Sequence, residues 1–256
     1  MRAILTVLGS GTSMGVPTIG CDCKVCTSTD PHDRRTRPSV LIEYNGHAVL
    51  IDTTPDFRQQ ALREKMTRLD AVLYTHAHAD HVLGLDDVRP LSFHRSTKVP
   101  LYADEETARI IERMFEYVFD PNYEYGSLPQ VEMRRINGPV QLFGATFRPL
   151  KILHGKHLIT AYRFGTAAYL TDFSTIPEET LSDLAGLDIL FLDALRRRPH
   201  PTHSTLEDSL KLVERLKPIR AFFTHMSHDL VHEETNKSLP EHVSLSHDGL
   251  KLDFEI

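Results

Sequence analysis

Four metal-binding side chains are packed into six residues of the chain, directly after an apolar run. They are His76, His78, Asp80 and His81, in the order HAHADH, and the apolar run covers residues 69–75. The run predicts a short β-strand that delivers these side chains onto a loop. Because His76 and His78 are two residues apart, an extended backbone points both the same way, and Asp80 and His81 then turn towards a second position. Imidazole and carboxylate ligands suit zinc, manganese or iron, so the spacing favours a metal site over a solvated histidine-rich loop.

The HxHxDH run resembles the signature of the metallo-β-lactamase superfamily, whose pattern asks for three more ligands at later strand ends. His154, Asp172 and His225 follow in the family's order, each directly after an apolar run that predicts a strand. The residues alone do not separate His154 from His157, whereas the strand-end position and the family order favour His154. The resemblance implies two catalytic divalent ions, one held by His76, His78 and His154 and the other by Asp80, His81 and His225, with Asp172 as the bridge. Asp80 is also predicted to take part in catalysis.

Three cysteines form a second candidate metal site. Cys21, Cys23 and Cys26 are an odd number packed into six residues, which does not suit a disulfide framework. The cluster is typical of a zinc knuckle in a reducing compartment, here over residues 20–27, with redox-active or incidental thiols as the alternative. Structural zinc usually takes four ligands, and His228, three residues after His225, is the predicted fourth.

The knuckle narrows the resemblance. The segments GSGTSMGVP at 9–17, GCDCKVC at 20–26 and IDTTPDFR at 51–58 are similar to those of PhnP-like proteins. These are phosphodiesterases of the carbon–phosphorus lyase pathway that act on a cyclic ribose phosphate, and they are related to tRNase Z. In such proteins, three cysteines and a histidine three residues after the last catalytic ligand bind a structural zinc. The resemblance runs nearly end to end, and it is more specific for the fold and the metals than for the substrate.

Length and composition are those of one enzyme domain. The chain has 256 residues and a formal charge of −6, which gives no electrostatic case for a large nucleic-acid footprint. No apolar stretch is long enough to cross a bilayer, and the first residues enter a strand where a cleavable signal would be. We therefore expect a cytoplasmic protein with no membrane partner, and leave open whether it forms a homodimer.

The predicted fold is of the α/β class, a four-layered αβ/βα metallo-β-lactamase sandwich that forms a single domain over residues 1–256. Strands are predicted at 3–8, 39–44, 47–51 and 188–193, and helices at 56–65, 105–118 and 205–216. The helix at 105–118 has an apolar stripe predicted to pack in the core: Ile110, Ile111, Met114, Phe115 and Val118. The helix at 205–216 is predicted to face inward with Leu206, Leu210, Val213 and Leu216. The turn-rich loop at 119–133, with Tyr123 and Tyr125, is left open as a lid, an oligomer contact or a plain connection.

His203 is the candidate proton donor. It precedes Ser204, which is predicted to cap the helix at 205–216 in a capping box with Glu207. The segment resembles the HST element of tRNase Z-like phosphodiesterases, and a histidine there can protonate a leaving oxygen near neutral pH. His200, three residues earlier, is the weaker candidate.

Other polar residues have supporting or neutral assignments. Asp52 and Asp193 follow strands and either accept the free ring N–H of a ligating histidine or cap loops. Arg34, Arg35 and Arg37 are expected on a solvated face, and Arg196–Arg198 either lie on the surface or help to hold an anionic substrate. The remaining histidines are assigned to the surface: His32, His47, His94, His157, His232, His242 and His247.

These residues lead to one mechanism and several competing functions. Two adjacent ions (manganese or zinc, with iron also admitted) would acidify a bridging water, whose hydroxide attacks a phosphodiester in line while His203 protonates the leaving oxygen. The substrate is expected to be a small phosphodiester, with a cyclic ribose or nucleotide phosphate as the first candidate, and a large nucleic acid is not expected. An RNA 3′-processing nuclease of tRNase Z type is next, although no protruding basic arm appears in the sequence. A superfamily hydrolase of another ester class is a further alternative. A diiron oxidoreductase is disfavoured, because such members of the superfamily usually carry an acidic residue where His78 stands. A non-catalytic sensor is disfavoured because every ligand position is filled.

Overall fold

The computed structural model describes residues 1–93, 96–124 and 126–256, within which the chain forms fourteen strands and eight α-helices. The assignments of His94 and Tyr125 lie outside the described residues. The strands are β1 (Arg2–Gly9), β2 (Ser39–Tyr44), β3 (His47–Ile51), β4 (Ala71–Leu73), β5 (Val99–Ala103), β6 (Val131–Arg135), β7 (Val140–Leu142), β8 (Ala145–His154), β9 (His157–Phe164), β10 (Ala167–Leu170), β11 (Ile189–Asp193), β12 (Arg220–Thr224), β13 (Val243–Leu245) and β14 (Lys251–Glu255). The α-helices are α1 (Phe57–Arg63), α2 (Ala79–Val82), α3 (Arg89–Ser92), α4 (Glu105–Met114), α5 (Glu116–Phe119), α6 (Glu178–Ser182), α7 (Leu206–Leu216) and α8 (His232–Asn236).

The strands form two mixed sheets of seven. The first has the order β14-β1-β2-β3-β4-β5-β6 and the second has the order β13-β12-β11-β10-β9-β8-β7. In each sheet one part is antiparallel and the other is parallel, with β3 to β6 parallel in the first and β10 to β13 parallel in the second. The parallel strands read as continuous apolar runs because both of their faces are covered.

Three apolar clusters account for the layering. Val7, Ile42 and Phe191 belong to the central cluster, to which both sheets contribute side chains. Phe57 of α1 and Ile111 of α4 join the outer face of the first sheet, and Val213 of α7 joins that of the second. Each sheet therefore buries one face against the other sheet and one against helices. The predicted four-layered αβ/βα sandwich is confirmed.

Two helix predictions need correction. The predicted helix at 105–118 is two helices, because the backbone of Phe115 leaves helical geometry at φ −116° and ψ 41°. Its apolar stripe is not all core, since Met114 is 41% exposed. The predicted cap is displaced by one residue: Thr205, not Ser204, caps α7 by accepting the backbone N–H of Asp208. Among the described residues, no helix has the length and apolar character needed to span a membrane.

Candidate metal centre

The predicted catalytic ligands lie at strand ends along one rim of the sandwich. His76 follows β4, His154 ends β8, Asp172 follows β10 and His225 follows β12. Asp172 and His225 adopt left-handed backbone angles, with φ of 59° and 57°. This conformation costs a residue other than glycine about 1–2 kcal/mol, and here it redirects the chain where the strand ends. The strain coincides with the cluster of candidate ligands.

The side chains meet in two groups that share Asp172. The first comprises His76, His78, His154 and Asp172, and the second Asp80, His81, Asp172 and His225; within each group the ligand atoms lie within 4.8 Å of one another. Asp172 Oδ2 is 3.7 Å from His76 Nε2, 3.4 Å from His81 Nε2 and 3.2 Å from His225 Nε2. The carboxylate therefore stands between the groups, where a bridging ligand would be needed.

The chemistry of the two groups fits divalent cations. His81 Nε2 and both ring nitrogens of His225 are buried and make no hydrogen bond of normal geometry among the described residues, although carboxylate oxygens lie 3.2–3.5 Å from the two Nε2 atoms. Burial opposes protonation of His225, but Asp172, Asp80 and Asp193 outweigh it and raise its pKa to about 9. The surrounding carboxylates thus create a demand for positive charge, which metal ions can supply while they satisfy the orphaned nitrogens. The donor set and the spacing of these clusters indicate divalent-metal binding.

Hydrogen bonds outside the two groups fix the orientation of the histidine rings. Asp52 is fully buried and its Oδ2 lies 2.8 Å from His81 Nδ1, while Thr75 donates to the same carboxylate. His154 Nδ1 lies 2.9 Å from the carbonyl oxygen of Thr202. Because a carbonyl oxygen only accepts, Nδ1 of His154 carries the proton and Nε2 is free to bind a metal. The role of Asp52 was among those considered from the sequence, whereas the Thr202 carbonyl was not foreseen.

His203 lies beside the two groups and is oriented by Asp193. Its Nδ1 is 2.7 Å from Asp193 Oδ2, and its ring centroid is 4.7 Å from that of His225 and 4.8 Å from that of His154. Burial and the nearby His225 lower the pKa of His203 to about 4, and burial raises the pKa of Asp193 well above its usual range. The ring of His200 is 5.0 Å from that of His203. Asp193 thus contacts the candidate proton donor. From the sequence, Asp193 is predicted to contact a metal-ligating histidine or to cap a loop.

The cysteines meet His228 in a separate cluster. The distances from His228 Nδ1 to the Sγ atoms of Cys21, Cys23 and Cys26 are 3.3, 3.6 and 3.4 Å. A tetrahedral zinc ion, with Zn–S of about 2.3 Å and Zn–N of about 2.0–2.1 Å, requires a sulfur–nitrogen separation of about 3.6 Å. The four side chains therefore have the spacing of a structural zinc site.

Two surface assignments are wrong. Arg35 is buried, and its guanidinium donates to the carbonyl oxygens of Ser227 and Leu230 and pairs with Asp33. It therefore braces the segment that carries His225 and His228. His232 is also buried, with its ring centroid 4.7 Å from that of His32.

The arginines near the rim differ in their partners. Arg197 pairs with Glu207 and Arg198 pairs with Asp229. Arg196 donates to the carbonyl oxygens of Arg198 and Pro199. Two of the three charges are thus matched by exposed carboxylates, which leaves Arg196 as the better candidate to meet an anion.

The sequence matches the family described as Beta-lactamase superfamily domain over residues 47–226. A crystal structure of a new diphosphatase from the PhnP family is 61% identical, with a TM-score of 0.94, and the match covers 99% of this chain and 98% of that chain. Human tRNase Z, short form, is 15% identical with a TM-score of 0.71 and covers 99% and 100%, which shows the fold alone. A Porphyromonas gingivalis protein named octanoyltransferase is 42% identical over 98% of this chain and 51% of its own length. The chain therefore spans about half the length of that curated relative.

Proposed function

The chain belongs to the beta-lactamase superfamily and, within it, to the PhnP family, and we propose that it hydrolyses small phosphodiesters with the help of two divalent metal ions. The observation that carries this proposal is the pairing of two ligand groups through Asp172, with the Asp193–His203 pair beside them. A phosphodiester needs charge neutralised on the oxygens that stay and a proton on the oxygen that leaves. The site offers a separate set of residues for each task.

We propose that one ion is held by His76, His78 and His154. The other ion is held by Asp80, His81 and His225. Asp172 is a ligand to both ions. Ions bound there would supply Lewis-acid activation of a water and charge stabilisation at the phosphoryl oxygens. Manganese or zinc is proposed, with iron admitted, because imidazole and carboxylate donors suit all three. Cys21, Cys23, Cys26 and His228 are proposed to hold a structural zinc. Since these three cysteines form no disulfide, we propose a reducing, cytoplasmic location.

The proton movements are assigned to this chain's own side chains. His203 is proposed to protonate the leaving oxygen through Nε2, because Asp193 engages Nδ1 and fixes the ring. Burial disfavours the protonated imidazole, and the negative charge of a bound phosphodiester beside it would raise the pKa of His203 again. Asp80 lies between His81 and His225, at 3.2 and 3.5 Å from their Nε2 atoms. There its carboxylate can accept a proton from the attacking water.

The substrate is proposed to be a small molecule. The net charge of −6 and the pairing of Arg197 and Arg198 with carboxylates give little support for a long polyanion. Cyclic ribose or nucleotide phosphates remain the first candidates. Organic diphosphates are the second, since the PhnP-family protein that is 61% identical is described as a diphosphatase. Acyl transfer is not proposed, because the relative with that name is about twice as long as this chain.

A substrate panel tests the proposal. Protein stripped of metal and reloaded with manganese or zinc is assayed on cyclic nucleotides, an organic diphosphate, a phosphomonoester, a lactam and an octanoyl thioester. An Asp172→Asn variant, prepared in the same way, reports the background from contaminating enzymes. We expect metal-dependent turnover of a diester or a diphosphate, with little action on the other three. Faster turnover of the lactam or the thioester would contradict the proposal. A precursor tRNA is incubated with the same preparation in parallel, and its efficient trimming would contradict the proposal too.

A further inference from the structure

A cavity of about 190 Å³ opens beside the candidate metal centre. His76, His78 and His154 form one end of it, and its other walls come from the first half of α4 and from the start of β9. Sites that enclose a whole drug-sized ligand measure roughly 300–1,000 Å³. This cavity is therefore suited to one part of a substrate that also reaches the metals.

Apolar side chains line the cavity from two elements. Ile110 comes from α4, and Leu158 and Ile159 come from β9. Leu158 is 56% exposed, although it is a large aliphatic residue at the mouth of a site. An exposed apolar side chain that lines a concave surface is typical of ligand contact, so a ring can be covered here from two directions.

The polar groups of the cavity disfavour a phosphate group there, in addition to the phosphoryl group that is attacked at the metal centre. Among its described lining residues there is no arginine or lysine, whereas two are carboxylates, Asp104 and Glu106. The Asp104 carboxylate already accepts from Lys151 and from the backbone N–H of Thr107. Glu106 is exposed at the entrance to α4. Carboxylates accept hydrogen bonds from hydroxyl and N–H groups and repel anions, so this lining favours an uncharged group that carries donors.

The cavity and the proton donor are neighbours that share His154 as a contact. His154 lines the cavity, and its ring centroid is 4.8 Å from that of His203, which does not line it. A leaving oxygen protonated by His203 therefore lies beside the cavity and not within it. The group in the cavity is the one that stays attached to the phosphorus.

We propose that this cavity binds a nucleoside that remains esterified to the attacked phosphoryl group. The proposal rests on the proposed phosphodiesterase function and names the half of the substrate that sets specificity. A nucleoside has a flat base for the aliphatic walls, hydroxyl and N–H donors for Glu106, and no charge. The leaving oxygen can belong to the same ribose, as in a cyclic nucleotide, or to a separate group.

Three diesters with the same leaving group test this assignment. They are p-nitrophenyl phosphates whose second ester is methyl, p-nitrophenyl or thymidin-5′-yl, and release of nitrophenolate is followed with metal-loaded protein. We expect kcat/KM for the thymidine ester to exceed that for the methyl ester by at least about tenfold, because single apolar contacts in a pocket discriminate by about 10–200-fold. Ile110→Trp, which fills the cavity, should reduce this ratio about tenfold, and Leu158→Ala should reduce it in the same direction. Leu62→Trp, at a 62% exposed position on α1, is the matched control and should leave all three values unchanged.

Each outcome separates the two proposals. Equal kcat/KM for the three esters would overturn the nucleoside cavity and leave phosphodiester hydrolysis standing. A thymidine ester no better than the p-nitrophenyl ester would show an apolar pocket without nucleoside recognition, which also overturns the inference. No turnover of any ester by metal-loaded protein would overturn the proposed function itself. Because Leu158 is exposed on β9, its truncation gives a folded test if Ile110→Trp disturbs α4.

Discussion

Replacement of His203 by alanine is the perturbation that isolates proton donation. His203 is not a member of either ligand group that shares Asp172, so both groups stay complete in the variant. What the variant loses is the imidazole that Asp193 holds at 2.7 Å. The expected result is therefore a protein with an unchanged content of catalytic metal and a slower chemical step.

The size of the effect depends on how much the leaving oxygen needs a proton. A positioned general acid contributes about 10²–10⁴-fold, so kcat for a diester with an alkoxide-like leaving group should fall by about a hundredfold or more. A nitrophenolate leaves without a proton, and with that substrate the loss should be much smaller. The assay is steady-state kcat on both substrates, with elemental analysis of the same preparations.

His200→Ala is the matched control for the loss of an imidazole at the rim. Its ring lies 5.0 Å from that of His203, and its Nδ1 contacts Thr202, so its removal should change kcat by less than about threefold on either substrate. Equal losses for His203→Ala on both leaving groups would refute the donor role and would indicate binding or orientation. Loss of catalytic metal from that variant would refute the premise that His203 is not a ligand.

Three further predictions concern the metals and the fold. His225→Ala should abolish turnover and keep the knuckle zinc. His228→Ala should lose that zinc and lower Tm, because structural metal binding is coupled to folding. Elemental analysis and thermal melts of the two variants check this prediction. Asp52→Asn should weaken metal affinity about 10–100-fold, since the carboxylate orients His81, and competition with a metal chelator measures it. Burial and neighbouring cationic groups lower the pKa of His232 to about 4. As the pH falls, the His232 imidazole therefore binds a proton in the unfolded chain before it does so in the folded chain. The free energy of unfolding should then decrease as the pH drops from about 6.5 towards 4. In His232→Phe, urea melts at pH 6.5 and pH 5 should show a smaller fall than in the unaltered protein.

The catalytic ligand positions were accessible from sequence because each follows a strand. A buried parallel strand is a short apolar run, and polar residues that follow it reach the rim of the sheet. Asp172 and His225 follow such strands, whereas His154 ends the antiparallel strand β8 and was chosen over His157 with the help of the family order; the structure brings all three together with the HAHADH segment. The metals themselves stay a proposal.

Strand bounds were predicted best where local chemistry decides them. β2 and β3 begin and end at the predicted residues, since the turn between them contains Asn45 and Gly46, both with positive φ. Asn-Gly is a strong signal for a tight hairpin, and it fixes the register of both strands. The helix break at Phe115 has no such local marker, because its apolar spacing suits one continuous helix as well as two.

The errors concern contacts between distant parts of the chain. Arg35 looked like a surface residue because its local sequence is basic, yet its partners Ser227 and Leu230 lie 192 and 195 residues away. The cavity likewise is lined by both Ile110 and Leu158, because α4 packs near the start of β9. Spacing within the sequence carries no signal for either arrangement, because only the folded topology creates it.

The central claim is that two metal ions act at the Asp172 centre while a separate zinc holds the knuckle. Elemental analysis of protein purified without chelator and then loaded with metal tests it most directly. Seven catalytic ligands and four knuckle ligands predict about three metal ions per chain, with zinc as at least one of them, and about two in Cys26→Ala. A fully loaded preparation that never exceeds about one equivalent would contradict the claim.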